Sequence, residues 1–135
     1  MSSAPQHPNA ALAGRLLEAF RARDVGALAR LFAEDAVWHF PGRHGLLAGD
    51  HRGHAGILAF LAKVPAATFG TFHLEPEDVL ASDAGAVVLF HGRGERKGRR
   101  LDNPTCLRLR IEDGRIAELW EFVWDLEHVE AFWAP

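Results

Sequence analysis

The order of the hydrophobic periodicities constrains this chain most. Apolar residues recur at helical spacing near its start, whereas nearly everything after residue 68 alternates as strand. Leu12, Leu16, Leu17 and Phe20 share one helical face from Ala10 onward. Asp24 is an N-cap for a second, short helix with Leu28, Leu31 and Phe32 facing inward. Asp35 to Phe40 reads as a strand closed by Pro41-Gly42. The Gly- and His-rich stretch 42–53 reads as a loop. A third helix is expected over His54–Val64, stopped by Pro65. Strands follow at Phe69–Leu80, Ala86–Arg96, Arg99–Glu112 and Ile116–Trp124, the last two joined by an Asp113-Gly114 turn suited to positive φ. Asp125 caps a short terminal helix carrying Leu126, Val129, Phe132 and Trp133. Helices must bury their apolar faces, so they pack on one side of a curved sheet. The expectation is an α+β cone: a curved antiparallel sheet wrapped on three N-terminal helices, with a short C-terminal helix. Residues 1–9 read as a disordered lead-in and 10–135 as a single domain.

Composition excludes several function classes. The 135 residues carry a net charge of −3, so no basic surplus exists for nucleic acid. Apolar runs reach only about five residues, too short to span a membrane. The first residues lack both a basic and an apolar leader segment. A cytoplasmic protein is expected. Cys106 is the only cysteine, which excludes an internal disulfide and a multi-thiolate metal site; it reads as a small core residue. There is no Tyr, so no mechanism can use a phenol.

Three segments carry a resemblance: LLEAFRARDVGALARLFAEDAVWHFPG (Leu16 to Gly42), LAGDHRGHAGILAFL (Leu47 to Leu61) and LRIEDGRIAELWEFVWD (Leu109 to Asp125). Together they resemble the nuclear transport factor 2-like superfamily, and within it the SnoaL-like or ketosteroid-isomerase-like group. The resemblance implies the cystatin-like cone, an apolar pocket, and a homodimer through the outer sheet face. It spans isomerases, polyketide cyclases, epoxide hydrolases, dehydratases and proteins without chemistry. Ketosteroid isomerases would place their general base at Phe40, their oxyanion Tyr at Leu16 and their protonated acid at or near Leu107. All three functions are missing, so that reaction is rejected. Limonene-epoxide-hydrolase-like members would place their acid at Glu121 and an Arg-x-Asp pair at Arg93-Gly94-Glu95, but their first-strand polar pair falls on Trp38 and Phe40.

Strand alternation leaves two inward sets open on the last strand: Leu119, Glu121 and Val123, or Trp120, Phe122 and Trp124. The first would put a carboxylate in an apolar cavity and raise its pKa into the working range of an acid or base. His39 faces opposite to Trp38 and Phe40, as a proton shuttle or as a hydrogen-bonded structural histidine. The catalytic candidates are therefore Glu121 and His39. The candidate pocket lining is Trp38, Phe40, Leu16, Phe90, Asn103, Leu107 and Trp120; Asn103 could equally close a turn with Asp102. His39, His44, His51 and His54 lack the convergence a metal site needs, and no metal or cofactor is expected. Gly92 and Gly94 either widen the cavity or mark a bulge. The run Arg93–Arg100, with four Arg, one Lys and one Glu, reads as a solvated hairpin tip. The function expected is cofactor-independent acid/base chemistry on a hydrophobic small molecule. The alternative is a non-catalytic hydrophobic-ligand-binding or dimeric interaction protein of the same fold.

Overall fold

The computed structural model describes residues 6–135. Residues 1–5 of the expected lead-in lie outside them, and helix α1 (Pro8–Ala22) begins earlier than its apolar face suggests, taking in the last two residues of that lead-in. Proline at the first turn costs no hydrogen bond, and the His7 ring accepts from the Asn9 N–H as an N-cap. Arg23 ends α1 in the left-handed conformation, and Asp24 then caps α2 (Val25–Leu31) by accepting from the Ala27 N–H.

The chain continues through β1 (Phe32–Phe40), β2 (Gly49–Arg52), α3 (Gly53–Thr68), β3 (His73–Ser82), β4 (Gly85–Arg96), β5 (Arg99–Glu112), β6 (Arg115–Val123) and α4 (Leu126–Phe132). These strands form one six-stranded sheet in the order β2-β1-β6-β5-β4-β3. The meander β3 to β6 is antiparallel, as expected. The early strand β1 joins it in parallel, beside β6, and β2 forms an edge within the stretch read as loop. The fold is the α+β cone.

Pro65 does not stop α3; it lies inside the helix. The turn beyond it is held by tertiary burial: Thr68 is fully buried and its hydroxyl donates to the Val64 carbonyl at 2.7 Å. Pro76 sits where a strand proline is tolerated, on the edge strand β3, beside a bulge and flanked by Glu75, Glu77 and Asp78, charges that discourage edge pairing. The Asp113-Gly114 turn has φ of 51° and 73°, the two positive values a tight hairpin requires, and Lys97-Gly98 repeats the device at 50° and 74°.

The core fills the concave side. Leu12, Ala13, Leu16 and Ala19 of α1 and Ile57 and Phe60 of α3 meet Phe32, Ala36, Trp38 and Phe40 of β1 and the buried rows Val88/Phe90, Leu107/Leu109 and Ile116/Leu119. Cys106 is not among them: it lies half-buried on the convex side, opposite Phe122. One glycine is demanded by backbone approach. A Cβ on Gly85 would stand 1.9 Å from the Leu109 carbonyl oxygen, a clash with main chain that no side-chain rotation relieves. Gly85→Ala is expected to cost about 2–4 kcal/mol and to lower Tm accordingly, measured by thermal and urea unfolding.

Candidate functional site

Register decides which face of each strand is inward. Leu107 pairs with Glu121 and Leu109 with Leu119, so Glu121 shares the concave face with buried leucines. Trp38 reaches the same face from β1. Its indole packs against Phe20, Phe32 and Phe60, and its Nε1–H donates to Glu121 Oε1 at 3.1 Å. The open alternative on β6 is thereby resolved: Leu119, Glu121 and Val123 point in. Accessibility rises along that row, from fully buried Leu119 to half-buried Glu121 and Val123, so the concave face opens toward the end of β6.

Glu121 is an isolated acid. Trp38 is its single side-chain hydrogen-bond partner among the described residues, and no Arg, Lys or His pairs with it. Its accessible area makes it a half-buried residue, whereas its carboxyl is desolvated like an interior group, and the titration follows the carboxyl. Desolvation pushes the pKa up to about 7, against the smaller opposing effect of the Trp38 N–H. Both protonation states are therefore populated near neutrality, which suits proton transfer in either direction.

The other predicted residues divide between the two faces. Phe40, Leu107, Phe90 and Asn103 are buried on the concave side, and Leu16 faces it from α1. Asn103 keeps its Oδ1 buried with no hydrogen-bond partner among the described residues, so it does not serve the turn with Asp102 through that atom. Trp120 is corrected: it lies on the convex face, stacked on His39 at 5.5 Å and under the Arg108 guanidinium at 4.8 Å. His39 is on that face too and cannot share a ligand with Glu121. Its Nδ1 lies 2.7 Å from Asp50 and its Nε2 2.6 Å from Glu118. Desolvation works against its cation, but the hydrogen bonds and charges of Glu118 and Asp50 outweigh this and raise its pKa. It is a clasp joining β1, β2 and β6.

The remaining candidates are occupied locally. His51 Nε2 meets the Leu47 carbonyl at 2.8 Å and its ring stacks on Phe60; His54 Nε2 meets the Phe32 carbonyl at 2.8 Å. No group of three potential metal ligands occurs among the described residues. Gly92 and Gly94 do face inward, but the room they leave is taken by Phe72, whose atoms would lie 3.4 and 3.2 Å from the added Cβ atoms. Arg93 faces out, bound to Glu75 and Asp102. Among the described residues, a cavity of about 360 Å³ at the β4–β5 hairpin and another of about 360 Å³ beside Gly42 and Glu130 are lined by neither Glu121 nor Trp38.

Comparison with known proteins places the chain in a family. The SnoaL-like domain profile matches residues 13–119, and the chain belongs to the SnoaL-like family. An uncharacterized protein of Mycobacterium tuberculosis is 36% identical over 124 residues, which cover 91% of this chain and 94% of the relative. The solved structure of Bal32a, from a soil-derived mobile gene cassette, matches with a TM-score of 0.89 and 36% identity over 93% of this chain and 96% of that one. A Sinorhizobium meliloti protein proposed to be a polyketide cyclase matches with a TM-score of 0.68 and 25% identity over 83% and 94%. No described helix is long and apolar enough to cross a membrane.

The raised acid has a thermodynamic signature. A group whose folded pKa is raised contributes stability that is full below its unfolded pKa and is lost as pH rises through the folded value, here about 7. Glu121→Gln removes the ionisation and keeps an acceptor for Trp38. The variant is expected to match the wild type below pH 4 and to exceed it by about 3 kcal/mol at pH 8–9, measured by urea unfolding across pH.

Proposed function

We propose that the protein is a small-molecule enzyme of the SnoaL-like type, acting on a hydrophobic substrate by cofactor-independent acid/base chemistry of the isomerase, cyclase or epoxide-hydrolase class. The observation that carries this reading is Glu121: a carboxyl among Trp38, Leu107 and Leu119, with no ion-pair partner among the described residues and a pKa raised to about 7. As a carboxylate it can remove a proton beside a carbonyl or from a water; as an acid it can return one to an oxygen. The Trp38 N–H steadies the ionised form and fixes its direction. The Trp38 indole and the buried Leu107 and Leu119 beside Glu121 favour a hydrophobic substrate. The likeness to a proposed polyketide cyclase supports beginning with polyketide-like and epoxide substrates.

Turnover of a panel of such substrates by wild type and Glu121→Gln tests this. For any substrate that is turned over, kcat/KM is expected to fall about 10²–10⁴-fold in the variant. The wild-type profile is expected to bend near pH 7. Unchanged turnover in Glu121→Gln removes the role assigned here.

A second feature supports the dimeric part of the expectation. The convex face exposes Phe122 (53%) and Trp124 (85%) next to Trp120, an apolar patch that a second copy of the chain would cover. Light scattering is expected to return twice the 14.9 kDa protomer mass. Phe122→Glu is expected to return the protomer mass; a monomeric wild type refutes the pairing.

A further inference from the structure

We infer that the tip of the β4–β5 hairpin is a binding site for a small organic anion with an apolar body, separate from the Glu121 site and independent of the reading given to it. The run Arg93–Arg100 is not simply a solvated tip. Arg96 lies on the inward row of β4 and is only 6% exposed, and its Nε and Nη1 are buried without a hydrogen-bond partner among the described residues. A buried guanidinium always keeps its charge, so it calls for a counter-charge or acceptor that the protein's own groups do not supply to these two nitrogens.

Arg96 lines a cavity of about 360 Å³ together with Lys97, Arg99, Arg100 and Glu95. Four basic residues and one acidic residue line it, in a chain whose overall charge is negative. The carboxylate is not spent on Arg96: Glu95 is 3.8 Å from Arg100. Arg99 is fixed by donating from Nη1 to the carbonyls of Ala131, Phe132 and Ala134 at the end of α4, so its charge is held at the cavity wall.

Phe69 also lines the cavity, and it supplies the second requirement. Phe69 follows the last residue of α3 in a left-handed conformation, φ 52°, that a bulky residue rarely adopts. The residue is 88% exposed and lines the cavity rather than joining the core. An aromatic surface beside a row of cations fits a ligand whose anionic head meets Arg96 and whose apolar body lies on the ring. Monoanionic carboxylates and phosphate monoesters of aromatic or alicyclic compounds have that form. The cavity is distant from the acid: Arg99 is eight residues along β5 from Leu107, the partner of Glu121, or roughly 26 Å at strand spacing.

The test is an amide-resolved NMR titration of the whole chain at pH 7 and low salt, with phenyl phosphate, inorganic phosphate and phenol as probes. Phenyl phosphate is expected to shift the amides of residues 68–71 and 95–100 saturably and to bind at least several-fold tighter than inorganic phosphate, whereas phenol is expected to leave these amides unshifted. Arg96→Gln is expected to weaken phenyl phosphate at least tenfold, and Phe69→Ala to abolish its advantage over inorganic phosphate. Glu121→Gln is expected to leave binding unchanged. If Arg96→Gln does not fold, the surface change Arg100→Gln takes its place, with a loss of threefold or more expected. The absence of saturable shifts at these amides, full affinity in the position-96 variant (or, in its place, in Arg100→Gln), or equal binding of phenol overturns the proposal.

Discussion

The parallel pairing of β1 with β6 sets what each face of this sheet can do. Trp38 lies opposite Leu119 and His39 opposite Trp120. With side chains alternating along both strands, that register sends the indole of Trp38 and the carboxyl of Glu121 to the concave side together, and sends His39, Glu118 and Trp120 to the convex side together. A slip of one residue would exchange the two sets. It would place a hydrogen-bonded ionic cluster against the core and expose a tryptophan that is now 3% accessible. The core therefore enforces the register, and the register sets the surroundings of Glu121.

The consequence is two carboxylates three residues apart on one strand with opposite electrostatics. Glu118 is held below its ordinary pKa, first by the hydrogen bond from His39 and further by Arg110. Glu121, with one indole for company, is held above it. Environments that drive like groups apart are how a protein keeps one acid permanently charged and another poised to exchange its proton. Here the charged one holds strands together, and the poised one faces the interior.

Much of this architecture was legible in the residues. The helix faces, the Asp24 and Asp125 caps and the Asp113-Gly114 hairpin are local signals, and local signals survive into the fold. The inner face of β6 was not legible, because hydrophobicity points the wrong way. Trp120, Phe122 and Trp124 form the more apolar set, yet they lie outside, where His39, Arg108 and solvent meet them. Only the partner strands β1 and β5 select Leu119, Glu121 and Val123, and no single-strand pattern contains that information. Arg96 failed for the same reason. In a charged run it reads as solvated, but its place on the inward row of β4 buries it. The length of α3 was hidden by Pro65, since propensity cannot register that Thr68 is anchored in the core.

The pairing of β1 with β6 also has a place in time. Trp38 and Glu121 are 83 residues apart in the chain, and between them lies almost the whole meander. A chain emerging from a ribosome N-terminus first can form α1, α2 and the β1–β2 pair early, but that pair keeps an open flank until β6 has been made. Such long-range closure slows folding and lengthens the interval in which an unpaired strand edge can meet another chain. The contact that builds the acid's surroundings is thus among the last that synthesis permits, so the poised carboxyl comes into being only when the sheet is finished.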